Sequence, residues 1–509
     1  MSKRALLSVT DKTGIISFAR ALLALDFEII STGGTMKQLE EENIPCQNIE
    51  AITNFPEILD GRVKTLHPNV HGGLLYKRDN AQHCQTIQQH HIESIDLVCV
   101  NLYAFEKALA QDKEESEMIE NIDIGGPSML RSAAKNFQDV IVVCDPRDYS
   151  YVIETLQNKE DNEAFRKQLA FKVFSLTSYY DAIIANYLGL QTKSTFTDTM
   201  TIPLKKVSPL RYGENAHQQA YVYQDGRQAD PLLDYKQLHG KEISFNNLND
   251  LYGAMRLLEE FDSKEHATVV VKHATPCGVA IGENGYDSFR KAYLADTKSI
   301  FGGIVAVNYT VDKATAEVMH SIFLEIIIAP AFDADALEVL QKKKNVRILT
   351  MDSKNNHRSH IDMKYLAGKV LLQDLDETVN QKQDVVTKRQ PPKEEIKDME
   401  FGMRVVKHVK SNAVCMVKDG VTLAIGGGQT SRIWALENAI AEHPEVNFQG
   451  AILASDAFFP FRDCVDTASE AGIQAIVQPG GSKRDQESID ACDEKQMTMV
   501  FTGYRHFRH

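Results

Sequence analysis

No apolar run in the sequence approaches the ~18 residues that a membrane-spanning helix needs. The opening MSKRALLSVTDK is basic and then apolar, but its apolar stretch is too short for a signal peptide. Basic charge is in short supply: 56 Lys and Arg stand against 70 Asp and Glu, a formal net charge of −14. Such a surface has no overall attraction for nucleic acid or an anionic membrane, so an anionic substrate must be met by local basic clusters. Cysteine pairs are missing too. The eight cysteines (46, 84, 99, 144, 277, 415, 464 and 492) form no C-x-x-C, and several sit in apolar runs such as IDLVCVN and VIVVC. That is the usage of a reduced, cytoplasmic protein. What remains is ordinary globular material, 43% hydrophobic and 25% charged over 509 residues, enough for about two to four domains.

The first part alternates strand and helix signals. RALLSV reads as a strand, followed by Ile15, Phe18, Ala19, Leu22 and Leu25 at helical spacing. FEIIS is a second strand and TMKQLEEE a helix, while IDLVCVN and DVIVVC are short apolar runs expected of strands covered on both faces. This βαβ pattern predicts a mostly parallel sheet. A helix is expected from about Asn162 to Leu190, then a boundary within 190–203, where QTKSTFTDTMT turns polar. Beyond it, strands are expected at 268–271, 302–307, 325–329, 413–417, 451–455 and 474–478. The polar stretch 377–400, with Pro391-Pro392, reads as a connection between two sub-domains. No fixed-period repeat is visible.

Several short stretches carry chemistry. SVTDKTG (8–14) joins a strand to a helix and offers Ser8, Thr10, Lys12 and Thr13, which suit a phosphate at a helix start or simply cap the helix. STGGT (31–35) repeats the arrangement one strand later, with Gly33 and Gly34 permitting close backbone approach. In DGRVKTLHP, Arg62 and Lys64 share one face of an extended segment beside Thr65 and His67; the set is either an anion clamp or a solvated basic edge. IDIGGPSMLRSAAKN combines Asp123, a Gly125-Gly126 turn, Pro127 at the expected first helical position, and Arg131 and Lys135 on one helix face. NLYAF puts Asn101 and Tyr103 at a strand end. The polar histidines of HCQTIQQHH read as solvated.

In the second part, LRYGENAHQ supplies Arg211, Tyr212, Asn215 and His217. VVVKHATPCGVA (269–280) ends a buried strand in Lys272 and His273, before a turn-forming run from Ala274 to Gly278. A zinc deaminase needs H-x-E with a later P-C-x-x-C; His273 is followed by Ala274-Thr275 and Cys277 has no partner three residues on, so zinc is excluded and His273 reads as a general base. SNAVC adds Asn412. SDAFFPFRD, with Phe458 and Asp463, reads as an aromatic wall between Asp456 and Asp463, or as loop packing with Asp463 capping the next helix. GGGQTSR is a Gly-rich ligand loop or a tight turn into a helix. The terminal YRHFRH, with Arg505, is expected to dock through Phe507.

In this order, SVTDKTG, GRVKTLHP, NLY, IDIGG, LRYGEN-HQ, VKHA-PCG, SDAFFPFRD and RHFRH resemble the bifunctional purine-biosynthesis enzymes that combine AICAR transformylase with IMP cyclohydrolase. AICAR is 5-aminoimidazole-4-carboxamide ribonucleotide and IMP is inosine monophosphate. The resemblance covers essentially the whole chain. It implies an α/β protein: a methylglyoxal-synthase-like parallel-sheet cyclohydrolase domain (1–195), then a transformylase region (204–509). That region would comprise two cytidine-deaminase-like α/β sub-domains without zinc, about 204–375 and 400–509, joined through 377–400. It further implies formyl transfer from 10-formyltetrahydrofolate to the 5-amino group of AICAR, dehydrative closure of formyl-AICAR to IMP, a homodimer with transformylase sites at the subunit interface, and an association with potassium (K+). Lys272, His273 and Asn412 match the transformylase's catalytic residues, and Arg211, Tyr212, His217 and Arg505 its ribonucleotide contacts. Phe458 and Asp463 match the region where folate and substrate meet. Lys64, Tyr103, Asp123 and Lys135 match the cyclisation residues; Thr10, Lys12, Thr32, Gly33, Gly34, Thr35, Arg62 and Thr65, with Asn101 and Gly125, match the nucleotide cradle. Ala216 stands where the family commonly has Pro, and Thr275 where bacterial members commonly have Asn. Methylglyoxal-synthase-like domains also serve as effector sites, so a regulatory nucleotide-binding module is the alternative for the first domain.

Overall fold

Short, uninterrupted apolar runs become the central strands of two sheets in the computed structural model, which describes residues 3–111, 113–191, 196–227, 233–351 and 361–509. The chain divides into two units, Met1–Lys205 with Gln224–Arg227, and Lys206–Tyr223 with Gln228–His509. Residues 192–195, where the first domain is expected to end, lie outside the described residues.

The first unit is built on five parallel strands: β1 (Lys3–Ser8), β2 (Phe27–Ser31), β3 (Gln47–Asn48), β4 (Leu97–Val100) and β5 (Ile141–Val143), in the order β3-β2-β1-β4-β5. Ala5, Leu6 and Leu7 are fully buried because helices cover both faces of the sheet. The expected spacing holds in the helix Ile15–Leu23, which buries Ile15, Phe18, Ala19 and Leu22. Phe18 stacks on Tyr149 with ring centroids 4.3 Å apart; burying such a ring contributes about 1.5–3 kcal/mol. The long helix runs Glu163–Gln191, and the polar helix Ala81–Gln89 buries no residue, which leaves its histidines solvated.

One local expectation fails. Gly125-Gly126 is not a turn before a helix but the first turn of the helix Gly125–Lys135, so Pro127 is its third residue. The first-turn N–H groups lack intrahelical partners, so proline costs nothing there. The Gly126 N–H is taken instead by the Asp123 carboxylate, at 2.8 Å.

A hairpin of β6 (Leu204–Leu210) and β7 (Ala220–Asp225), most of which falls in the second unit, carries the Arg211–Tyr212 loop. The main sheet of that unit has twelve strands. One half comprises β8 (Tyr235–His239), β9 (His266–Lys272), β10 (Thr275–Gly282), β11 (Gly303–Val307), β12 (Leu324–Ala329) and β13 (Arg347–Met351). A separate exposed hairpin, β14 (Ile361–Leu366) and β15 (Lys369–Asp374), follows. The other half comprises β16 (Asp384–Val385), β17 (Val414–Lys418), β18 (Val421–Gly426), β19 (Ile452–Ser455), β20 (Ala475–Gln478) and β21 (Thr498–Phe501). The order is β16-β21-β20-β19-β17-β18-β10-β9-β11-β12-β13-β8.

The two halves are copies of one plan. Each is strand, helix, antiparallel hairpin, then three helix–strand steps. In each, the hairpin's first strand pairs antiparallel with the next strand, two parallel pairings follow, and an antiparallel edge closes the set. The halves meet through the antiparallel pair β10–β18, at Ala280 and Val421. The repeat is one of topology, which a search for fixed period misses.

The 377–400 stretch is more than a connection. Asp384–Val385 is the edge strand β16, and Lys393–Val406 is a helix burying Met399, Phe401, Met403, Val405 and Val406. Its first turn carries Lys393, Glu394 and Glu395, and its first buried residue is Met399, so composition alone hides its start. Pro392 is its N-cap residue.

Candidate functional site

The strand order of the first sheet reverses between β1 and β4, and in open α/β sheets the crevice at such a point binds ligands. Here the carboxyl ends of β1, β2 and β4 open into a cavity of about 710 Å³. Thr10, Lys12, Thr32, Gly33, Gly34, Thr35, Arg62, Lys64, Thr65, Asn101, Tyr103, Asp123 and Gly125 all line it. Lys135 does not. It is the exposed last residue of its helix, ten residues beyond Gly125, or about 15 Å along the axis.

Hydrogen bonds fix the cavity wall. Ser8 and Thr32 hydroxyls lie 2.7 Å apart. The buried Thr35 hydroxyl donates to the Val9 carbonyl at 3.0 Å and accepts from Lys12 Nζ at 2.8 Å. Asn101 Oδ1 accepts from the N–H groups of Thr10 (2.5 Å) and Asp11 (2.9 Å), and its Nδ2 donates back to the Asp11 carbonyl at 3.0 Å. Asn101 thus latches the turn after β1 to the end of β4. The helix Gly33–Glu41 starts at the cavity, so its free first-turn N–H groups face an anion's place. Gly33 has φ +41, and a Cβ there would lie 3.7 Å from Lys64 Nζ. A Cβ on Gly125 would lie 2.8 Å from Thr65 Oγ1, so the backbone must be bare at that point.

Lys64, Tyr103 and Asp123 share one electrostatic neighbourhood. Burial lifts the Asp123 carboxyl above its ordinary range, against the pull of the Gly126 and Tyr103 amides and of Lys64. Tyr180 OH accepts the Asp123 N–H at 2.9 Å and donates to the Asn121 carbonyl, which fixes the backbone. Burial, then Asp123 and Glu57, raise the Tyr103 phenol. Burial lowers Lys12. Arg62 is exposed and ion-paired to Glu120. His67, grouped with these residues from sequence, caps the helix Pro68–Leu75 by accepting the Asn69 N–H at 3.1 Å.

In the second unit, VVVKHATPCGVA is a hairpin rather than a strand followed by a loop. Lys272 ends β9, Thr275 begins β10 opposite it, and the turn is only His273-Ala274. Both turn residues are left-handed, φ 53 and 56. That is the two-residue hairpin geometry that normally calls for Asn or Gly, and each non-glycine residue in it costs roughly 1–3 kcal/mol. Two N–H bonds to the Asp250 carboxylate hold the turn, from His273 at 3.2 Å and Ala274 at 2.8 Å. Lys272 Nζ donates to the Phe301 carbonyl at 2.6 Å. Burial pushes the Cys277 thiol up to about 12, and its Sγ donates to the Val270 carbonyl.

Register brings Asn412 to the same sheet end. Val414 at the start of β17 pairs with Gly426 at the end of β18, and β18 runs antiparallel to β10, whose start holds the His273 turn. Three strand spacings separate β9 from β17, on the order of 14 Å. Asn412 is tightly held: its Nδ2 donates to the Gln429 carbonyl at 2.9 Å and its Oδ1 accepts from Arg432 Nη2 at 2.8 Å. One Nδ2 hydrogen and one lone pair of Oδ1 remain for a ligand.

Arg432 was not singled out from sequence. It is buried, paired with the buried Asp456, and bonded to the Ala413 carbonyl and Ser455. Its place after a Gly-rich loop, as first residue of the helix Arg432–Ala441, was the available signal. Asp456 also accepts from Ser411 at 2.5 Å, so it is a structural anchor and not one flank of an aromatic wall. The aromatics divide: Phe458 is half-buried, Phe459 is core, and Phe461 is exposed under Arg484. Asp463 is the first residue of the helix Asp463–Glu470.

The terminal segment docks, but not through Phe507, which is 46% exposed and covered by Arg505 at 4.8 Å. His506 is the buried anchor. It donates its N–H to the Asp456 carbonyl and holds Asp376 and Val379 through its ring. Arg508 bonds Ser411 through its backbone N–H. Arg505 is exposed near the end of this segment. Arg211 donates to the Tyr212 hydroxyl at 2.7 Å over the ring face, and Gln218 staples their loop; His217 is exposed on it. Among the described residues, no hydrogen bond or ion pair joins this loop to Lys272, His273 or Asn412.

Two family models match the chain: the AICARFT/IMPCHase bienzyme over residues 133–442 and the MGS-like domain over 14–128. The chain is 54% identical over 510 residues to the bifunctional purine biosynthesis protein PurH of Clostridioides difficile, with all of both chains covered. It is 51% identical to the proteins of that name from Oceanobacillus iheyensis and Pediococcus pentosaceus, again over the full length of each. With a cavity at the switch point of a parallel sheet, and a Lys-His hairpin at the same sheet end as a fixed amide in the duplicated region, the chain belongs to the AICARFT/IMPCHase bienzyme family, whose members combine AICAR transformylase with IMP cyclohydrolase in purine biosynthesis.

Proposed function

We propose that residues 204–509 transfer the formyl group of 10-formyltetrahydrofolate to the 5-amino group of AICAR, and that residues 1–195 close formyl-AICAR to IMP. In the transfer, the amine attacks the formyl carbon, His273 accepts a proton from that amine, Asn412 donates to the tetrahedral oxyanion, and Lys272 stabilises the same oxyanion or protonates the folate nitrogen as its bond to the formyl carbon breaks. A positioned base contributes about 10²–10⁴-fold, and one oxyanion donor about 10²–10³-fold. The observation that carries the reading is the state of Asn412: Arg432 and the Gln429 carbonyl fix the amide, and its second Nδ2 hydrogen remains to donate to an oxyanion at the sheet end it shares with Lys272 and His273. Lys272 gives up its bond to the Phe301 carbonyl to serve. The half-buried face of Phe458 suits a flat heterocycle such as folate. Arg211, Tyr212, His217 and Arg505 are read as ribonucleotide contacts, and Asp463 as part of the folate and substrate region.

Closure needs no protein nucleophile, because the carboxamide nitrogen and the formyl carbon already sit on one molecule and holding the reactive rotamer supplies much of the rate. Lys64 and Tyr103 polarise the formyl oxygen as the carboxamide nitrogen adds to the formyl carbon; Asp123, whose proton affinity burial has raised, moves a proton from that nitrogen towards the oxygen, which leaves as water. The cavity's hydroxyls, Lys12 and Arg62 hold the phosphate. Lys135 lies outside the lining of this cavity, and only the resemblance gives it a role in the step. The dimer, the potassium dependence and the cytoplasmic setting belong to the same reading. The exposed Tyr365 and Leu371 of the β14–β15 hairpin support a self-association surface, and no described helix is long and apolar enough to cross a membrane. Light scattering tests the dimer, and exchange of potassium for sodium in the transferase assay tests the ion. The function itself is tested by incubating the protein with AICAR and 10-formyltetrahydrofolate: IMP is expected, and its absence contradicts the reading.

A further inference from the structure

We propose that Asp250 is a positioning residue for formyl transfer, holding the His273-Ala274 turn in the left-handed backbone that aims the imidazole. The inference rests on the reading of His273 as the base.

The duplicated halves make the argument. Asp250 is the sixth residue of the helix Phe245–Leu258, and Asp398 the sixth of Lys393–Val406. Asp398 clamps the turn Asp419-Gly420 by accepting both its N–H groups at 2.8 Å, with the same two oxygens in the same order as Asp250. The lysines before the two turns also correspond: Lys418 Nζ donates to the Gln449 carbonyl at 2.7 Å, as Lys272 does to Phe301 at 2.6 Å. One clamp therefore exists twice, under different loads. Asp419-Gly420 has φ 53 and 68, and glycine adopts the second value freely. His273-Ala274 has φ 53 and 56 with no glycine, so only its clamp must hold two side-chain-bearing residues in the disfavoured region. A Cβ on Gly253, one turn after Asp250, would lie in ordinary van der Waals contact with Ala274, 3.5 Å from its Cα, so this stretch of the helix packs beside the turn. Burial raises both carboxyls above their ordinary range, while the two N–H groups counter it. Asp398 serves a turn with no imidazole and is thus a matched control inside the molecule.

The test uses the full-length chain. Asp250→Ala is expected to lower transferase kcat about 10–100-fold, since a reacting group misplaced by about 1 Å costs up to 10²-fold. KM for AICAR and turnover of formyl-AICAR stay within about threefold. Asp250→Asn, which keeps one acceptor, is expected to fall between, and circular dichroism with retained cyclohydrolase turnover establishes folding. Adding Ala274→Gly to Asp250→Ala restores part of kcat, because glycine enters the left-handed region unaided. Asp398→Ala leaves transferase within about threefold. The proposal is overturned by near-wild-type kcat in Asp250→Ala, by an equal loss in Asp398→Ala, or by a loss that Ala274→Gly does not relieve. His273→Ala is run alongside. If it is active, the reading of the base fails; if it is inactive while Asp250→Ala is not, only the positioning role fails.

Discussion

The two candidate sites are built in opposite ways. In the first unit a single cavity at the carboxyl ends of parallel strands gathers the cations, hydroxyls and Asp123. In the second, the groups stand along one end of a sheet, with Lys272 ending β9, His273 in the turn after it, Asn412 before β17, and two strands between β9 and β17. The chemistry explains the contrast. Ring closure is unimolecular, so an enclosing cradle that selects a rotamer is sufficient. Formyl transfer joins two molecules, and a broad sheet end admits both.

The largest expected effect separates the sites outright. His273→Ala lowers formyl transfer about 10²–10⁴-fold and leaves closure of supplied formyl-AICAR intact; two assays on one preparation check it. The converse is Lys64→Ala, expected to lower closure about 10²–10³-fold with transfer unchanged. Unchanged closure removes Lys64 from the mechanism. Acidity sharpens the contrast further. Because the Asp123 carboxyl is raised by burial, it takes up its proton at higher pH than an ordinary carboxylate, so the acid limb of closure lies above the usual aspartate range. A pH–rate profile of Asp123→Asn loses that limb, while the transfer profile keeps its own. The smallest effect concerns stability. Burial pushes His408 of the second unit down to about 4 from its ordinary 6.5. The unfolded chain binds this proton first, so stability falls as pH drops from 6.5 towards 4. Thermal melts across that window show the decline, and His408→Gln flattens it.

Much of the first site was legible, because its residues lie in short motifs at strand ends and strand–helix alternation alone fixes where those ends go. Lys135 is the exception in position: four-residue spacing from Arg131 shows a shared helix face but not the distance from the helix start. The second site was legible only in part. VKHA advertised its charge, but the hairpin was hidden because neither His273 nor Ala274 is a turn former. Asp250 and Arg432 act through bonds to residues about 20 positions away, and local pattern carries no such information. One signal was present and unread: DLYGAMR (250–256) and DMEFGMR (398–404) share Asp, Met and Arg at equal spacing and mark the two equivalent helices.

The division of labour is tested most directly by His273→Ala supplied in parallel with formyl-AICAR and with AICAR plus 10-formyltetrahydrofolate, each followed by IMP formation. The account predicts IMP at the wild-type rate from the first and almost none from the second. Comparable IMP from both, or none from either, contradicts it.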